Sequence, residues 1–527
     1  MKPQMALIST FVTGFLTLSI EMVGGRVLAP YFGSSLYQWA GLIGVALIAY
    51  ALGYSAWKSI TRLGVGSPLI LGGLYVLSLP LWVLKLLDPL LNLPIAWASV
   101  LAASVIVGVP SFLWSGVLPW ALKASDERSG AILASSTLGS LLGAWGISFL
   151  MIPELGTRAS LVVVALVSLL LGLFIFLQTR AGRTRVLGVL AFLVCLPASA
   201  WMVKDTRQIW SEPWRIAEAQ TGEDTRKGLE RSRITVRDSG YQMISIWDES
   251  YLGKSFRVLM LGGSVQFYWN QEEKLHRMGE RFEYYNHASA SNLLTADGAS
   301  KRALILGLGG GLIPYQIQEF FPSTKLHAFE LDPEVERVAR EFLPLSKTTG
   351  IGVTIGDGRQ LLREDRGGWD YILLDTFLNS YVPFHLTTRE FFKLTYDRLA
   401  PGGVLVANFH SIFETTGLLE KLEASLASVY DEAFSYSLKN GTTFILAIRR
   451  APGEPIGETL RQRLSKPCEA GEICEYYYKL QNALARGQLR SLGELARRED
   501  LYLTDDRNDT ERRLFETRRE VLVQKPF

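Results

Sequence analysis

The chain has 527 residues, 48% of them apolar, and its 54 Lys and Arg nearly balance 51 Asp and Glu for a formal net charge of +3. That length exceeds what one hydrophobic core can organise, and the charge balance implies neither a nucleic-acid footprint nor an acidic partner. The average hides a division: up to about Val203 the chain runs in long blocks of Leu, Val, Ala, Gly, Ile and Trp, and beyond Lys204 charged residues become frequent.

Seven apolar segments, near residues 5–28, 38–58, 67–87, 94–120, 130–152, 158–178 and 185–203, are long enough to cross a bilayer. Residues 1–205 are therefore expected to form an α-helical membrane bundle. The first segment carries Glu21 and Arg26, which a cleaved signal peptide would not, and six more apolar segments follow it. Charges there are costly unless paired or facing a cavity. Two readings stay open: an ion pair or interfacial snorkelling of Arg26, and a route for a polar substrate. Loops with Lys58, Arg62, Lys123, Arg128, Arg180, Arg183 and Arg185 fall on the N-terminal side, against mainly Lys85 and Arg158 opposite. The positive-inside rule then puts the N-terminus in the cytoplasm and, after seven spans, the rest of the chain outside it.

Residues 206–232 read as a linker. From 233 to 285 apolar residues alternate, first at Ile234, Val236, Met243, Ile244 and Ile246, then along 257–261 and 264–269 on either side of Gly262 and Gly263. This is the pattern of a small antiparallel β unit of paired hairpins. Gln266 on it, and Tyr284 with Tyr285 just after it, could line a site or simply pack.

Residues 286–450 alternate strands and helices: strands at 303–306, 325–330, 351–355, 370–375 and 403–408, helices at 312–320, 333–342, 358–364, 387–398 and 415–428, then a hairpin at 434–438 and 442–448. Such alternation predicts a parallel sheet covered on both faces, a Rossmann-like α/β domain. The first strand runs into Gly307-Leu308-Gly309-Gly310-Gly311, whose glycines let backbone approach a ligand, and the second ends in Glu330, which can accept hydrogen bonds from both ribose hydroxyls. Together they point to an adenosyl nucleoside. Asp357, before Gly358, ends the third strand, where it could accept from the exocyclic amine of a base or merely make an Asx turn. Asp375 closes the fourth strand and could act as a general base toward an amine, or cap a helix. Supply of a nucleoside made inside the cell argues against placing this half outside it. His287, His385 and His410 have no metal-like spacing, and no metal is expected. Cys468 and Cys474 are close enough for a local disulfide, which would suit an oxidising compartment, or are two unrelated thiols. Residues 451–527 read as a helical extension with no chemical motif.

The β unit, the glycine loop 307–311, Phe329-Glu330-Leu331-Asp332, Gly356-Asp357-Gly358 and Tyr371-Ile372-Leu373-Leu374-Asp375 resemble the polyamine aminopropyltransferases, the spermidine synthase family, over about residues 230–450. The stretch 21–33 is similar to the membrane segment of the multi-span bacterial branch of that family, which implies an inner-membrane protein. The resemblance implies that decarboxylated S-adenosylmethionine donates an aminopropyl group to an amine such as putrescine. Asp375 would then be the general base, Glu330 the ribose ligand, Asp357 with Gly358 the adenine contact, Gln266, Gly307 and Gly309 further nucleoside contacts, and Tyr284 and Tyr381 amine contacts, with His385 and Glu283 as further candidates. It leaves room for a homo-oligomer joined through the β unit.

The sequence also departs from that family. Soluble members carry Asp where Gly310 stands, a second Asp three residues after the catalytic one where Leu378 stands, and Tyr-His-Glu where Tyr284-Tyr285-Asn286 stands. Each carboxylate lost beside an ammonium removes on the order of a few kcal/mol in a desolvated site. Three readings follow: aminopropyl transfer, methyl transfer from S-adenosylmethionine on the same kind of sheet, and a non-catalytic binding or transport protein.

Overall fold

The computed structural model describes residues 3–32, 36–62, 64–90, 93, 95–124, 128–179, 230–251, 254–262, 264–270, 283–376, 383–410, 417–438, 442–506 and 510. Two compact units emerge, residues 1–221 with 236–243, and residues 222–235 with 244–527.

Among the described residues of the first unit six helices are long and apolar enough to cross a membrane: Gln4–Ala29, Gln38–Ser55, Gly66–Val83, Trp97–Ala124, Ser129–Met151 and Glu154–Gln178. They coincide with the first six segments read from the sequence. The seventh, 185–203, lies outside the described residues. Small residues let the first and fifth helices touch backbone to backbone: a Cβ on Gly139 would lie 1.9 Å from the Phe11 carbonyl oxygen, and one on Gly143 2.3 Å from that of Phe15. Glu21 and Arg26 do not pair. Five positions along a helix leave side chains about 140° apart, so each looks elsewhere. The Tyr50 hydroxyl donates to Glu21, while Arg26 lies 3.8 Å from Asp238 and donates to the Ser239 carbonyl. Asp238 also accepts from the Thr157 backbone N–H at 3.0 Å.

Strands β1 (Glu230–Asp238), β2 (Met243–Tyr251), β3 (Lys254–Leu261) and β4 (Ser264–Asn270) form an antiparallel meander in that order, in which residues 236–243 count with the first unit and the rest with the second. A larger sheet follows, made of β5 (Arg302–Leu306), β6 (Lys325–Glu330), β7 (Gly352–Ile355), β8 (Trp369–Leu374), β9 (Leu399–His410), β10 (Glu432–Ser437), β11 (Thr442–Ile448) and β12 (Arg490–Ser491). Its spatial order is β12-β10-β11-β9-β8-β5-β6-β7, parallel from β9 to β7 and antiparallel beyond. Along β5, Ala303 and Ile305 enter the core on one face while Leu304 and Leu306 enter that on the other; β8 repeats this with Tyr371 and Leu373 against Ile372 and Leu374. Burial on both faces is why these strands read as unbroken apolar runs.

The C-terminal extension is not a separate layer. Leu460 and Leu464 of the helix Thr459–Leu464 and Tyr477 and Leu480 of the helix Cys474–Ala485 join the core on the Ile305 face, and β12 pairs with β10. Cys468 and Cys474 are joined by a disulfide. Arg463, only 1% exposed, clamps Glu454 with two hydrogen bonds at 2.8 and 2.7 Å and donates to the Leu294 carbonyl at 2.7 Å. Arg463→Ala should therefore cost about 3–5 kcal/mol in chemical unfolding followed by tryptophan fluorescence, because it strands a half-buried carboxylate. Pairing Arg463→Met with Glu454→Leu should recover much of that loss.

Candidate active site

Backbone hydrogen bonds carry the parallel register to the very ends of four adjacent strands. The Gly307 N–H donates to the Phe329 carbonyl at 2.9 Å, the Asp375 N–H to the Leu306 carbonyl at 2.9 Å, and the Gly356 N–H to the Glu330 carbonyl at 2.8 Å. The chain passes from β5 outward to β6 and β7 and then returns to the other side of β5 for β8. Such a reversal opens a crevice at the carboxyl ends of the strands, where open α/β sheets take their ligands.

The loop after β5 is shaped by that crowding. Gly307 has φ +88°, and a Cβ there would lie 2.3 Å from the Asp375 carbonyl oxygen, so only glycine lets the two strand ends meet. At Gly309, φ +52°, an added Cβ would meet nothing within 4 Å. The loop is therefore closed toward Asp375 and open at Gly309.

Glu330, 8% exposed, braces this loop: one carboxylate oxygen accepts from the Leu308 N–H at 2.9 Å and the other from the Asp332 N–H at 3.0 Å. Loss of water raises its pKa above the ordinary value, against the pull of the Asp332, Leu308 and Gly309 N–H groups. A carboxylate offers about four lone-pair directions, so these donors leave capacity for a ligand hydroxyl. Asp332 itself caps the helix Pro333–Phe342 by accepting from the Glu334 N–H.

Asp357 proves to be a helix cap as well as a strand end. One oxygen accepts from the Gln360 N–H at 2.9 Å, and the other lies 2.8 Å from His385 Nε2. The His385 hydrogen bond holds the Asp357 carboxyl below its usual range. Gly358 opens the helix, and a Cβ there would make only ordinary contact, 3.8 Å from Leu306.

Asp375, half-buried, accepts from the Asn408 side-chain amide at 3.2 Å, and the buried Tyr284 lies near it. Loss of water raises its pKa, against the pull of Asn408. Burial, and then the Asp375 charge, raise Tyr284, Tyr285 and Tyr371 in turn, so each stays a neutral phenol. Tyr285 donates to the Gln266 carbonyl at 3.1 Å, which ties β4 to this end of the sheet. Tyr381 lies outside the described residues. The structure thus brings Gly307, Tyr284 and Asp375 together, sets Glu330 on the loop, and gives Asp357 a partner, His385, that the sequence offered as a candidate amine contact. Asn408 was missed, although a polar residue ending the apolar run 404–407 was a visible signal. His287 is wholly buried, its Nδ1 held 2.8 Å from the Glu283 carbonyl, and burial pushes it down to about 4. It is a neutral packing residue.

Sheet order, glycine loop and acidic strand ends define a Rossmann-like fold of the transferase kind. Residues 285–445 match the model of the spermine/spermidine synthase domain. A polyamine aminopropyltransferase of Vibrio vulnificus is 35% identical over 155 residues, 28% of this chain and 50% of that protein. One from Chromobacterium violaceum is 30% identical over 187 residues, 34% of this chain and 68% of the relative. An eEF1A lysine and N-terminal methyltransferase of Bos taurus is 28% identical over 196 residues, 35% of this chain and 26% of the relative. The chain belongs to the polyamine aminopropyltransferase family, and it spans half the length of the Vibrio relative.

Proposed function

We propose that this protein, held in the cell inner membrane by its apolar helices, transfers an aminopropyl group from decarboxylated S-adenosylmethionine to an amine such as putrescine. The observation that carries the reading is the half-buried carboxylate of Asp375, held by Asn408 one strand away from a glycine loop braced by Glu330. Glu330 would take the ribose hydroxyls and Asp357 the adenine amine. The amine nitrogen attacks the propyl carbon bonded to the sulfonium, a C–N bond forms as the C–S bond breaks, and methylthioadenosine leaves. The attacking nitrogen must be neutral, so Asp375 orients the amine and takes up its proton. No metal enters these steps.

Methyl transfer from S-adenosylmethionine is the second reading. Gly310 offers no carboxylate to the donor's amine, and the Bos taurus relative is a methyltransferase by name. Product analysis on the full chain in detergent separates them. Aminopropylated putrescine with methylthioadenosine, both lost in Asp375→Asn, supports the first reading. Methylated product from S-adenosylmethionine supports the second, and ligand binding with no turnover of any amine supports a binding or transport protein.

A further inference from the structure

The turn Phe384–Leu386 is fastened to the helix Gly358–Glu364 at two independent points. The first is backbone: Arg359 donates to the His385 carbonyl at 2.9 Å, and the same guanidinium, 9% exposed at its side chain, is gripped by both oxygens of Asp505. The second is the side-chain bond from His385 Nε2 to Asp357. Because the first clasp uses the carbonyl of residue 385, the turn stays anchored whatever side chain that residue carries. The imidazole is thus superfluous as a strut. Its ion-pair value is also small, since both side chains are about one-third exposed and solvent screens them. What it does fix is direction.

Asp357 spends one oxygen on the Gln360 N–H, and the Arg359 N–H also draws on the carboxylate, while the bond to the second oxygen comes from His385. With His385 on the other oxygen the plane is set, and the unused lone pairs face one way. Apolar side chains left exposed at this edge could flank a planar ring: Leu331 directly after Glu330, Ile355 two residues before Asp357, and Phe384, whose ring stands edge-on to His385 at 5.7 Å.

We propose that His385 is a positioning residue for nucleoside recognition, which aims the Asp357 carboxylate at the exocyclic amine of the base. This rests on the reading of Asp357 as the adenine acceptor. It moves His385 from the amine half of the site, where sequence reasoning had it as a candidate, to the nucleoside half. The donor is then read by a pair, and the second member lies ten residues beyond Asp375 on the chain segment that leaves the base.

The test uses the full chain in detergent, with 5′-methylthioadenosine as the calorimetric probe and steady-state kinetics beside it. His385→Ala should weaken probe binding about tenfold, raise the KM of the nucleoside donor by a similar factor, and leave kcat and the KM of the amine within twofold. His385→Gln, whose amide N–H can still reach Asp357, should restore most of the affinity. In an Asp357→Asn background, His385→Ala should add little further loss. Unchanged probe affinity in His385→Ala, no rescue by Gln, or losses that add in full to those of Asp357→Asn would each overturn the proposal. A wild-type chain that does not bind the probe would sink the nucleoside reading itself. Wild-type binding with an indifferent His385→Ala sinks only the role of His385.

Discussion

Replacing Asp375 by Asn should lower kcat for aminopropyl transfer by about 10²- to 10⁴-fold while leaving methylthioadenosine binding close to wild type, because the substitution removes a proton acceptor and little else. Asn is the same shape, and its oxygen can still accept from Asn408, so the strand end keeps its geometry. The pH profile gives a second reading of the same group. Exclusion of water raises the Asp375 pKa, so the carboxyl stays protonated to a higher pH than an ordinary aspartate. Below that raised value it cannot take up the amine's proton. The acid limb of kcat/KM should accordingly fall off at a pH above the usual aspartate range and should disappear in Asp375→Asn. Measurement needs only initial rates of methylthioadenosine release between mildly acidic and neutral pH. A variant that retains wild-type kcat would remove Asp375 from the chemistry.

Much of this edge could be read from sequence because its signals are local. The helices Leu312–Phe320, Pro333–Phe342 and Gly358–Glu364 fall where turn and cap residues place them, with Asp332 and Asp357 each accepting from a backbone N–H of the first turn. Strands β5, β6 and β8 are short apolar runs punctuated by glycine or a charge. What escaped depends on pairing across distance. Asp357 and His385 lie 28 residues apart, and Arg26 finds Asp238 rather than Glu21; no periodicity encodes such partners. The strand β12 was illegible for another reason. Two exposed residues, Arg490 and Ser491, are too few to alternate, and they pair only because the edge of β10 is there to receive them.

Gly307→Ala should destabilise the chain by roughly 2–5 kcal/mol and abolish turnover, and the contrast with Gly309→Ala shows why. At Gly307 the new methyl carries two costs: a left-handed backbone that L residues resist, about 1–2 kcal/mol, and a collision with the Asp375 carbonyl oxygen 2.3 Å away, roughly another 1–3 kcal/mol. Retreat is blocked on both sides, since the Gly307 N–H is bound to Phe329 and the Asp375 N–H to Leu306. Any relief must therefore displace Asp375 itself. Gly309 bears only the backbone cost, because its Cβ would enter open space. That variant should unfold within about 1–2 kcal/mol of wild type, yet bind methylthioadenosine more weakly, its methyl projecting into the volume assigned to the nucleoside. Chemical unfolding and calorimetric titration of the two variants side by side measure both effects. Equal unfolding midpoints for the pair would mean that the strand ends of β5 and β8 are not held as tightly as these distances require. Undiminished nucleoside affinity in Gly309→Ala would mean that the ligand does not pass over this loop.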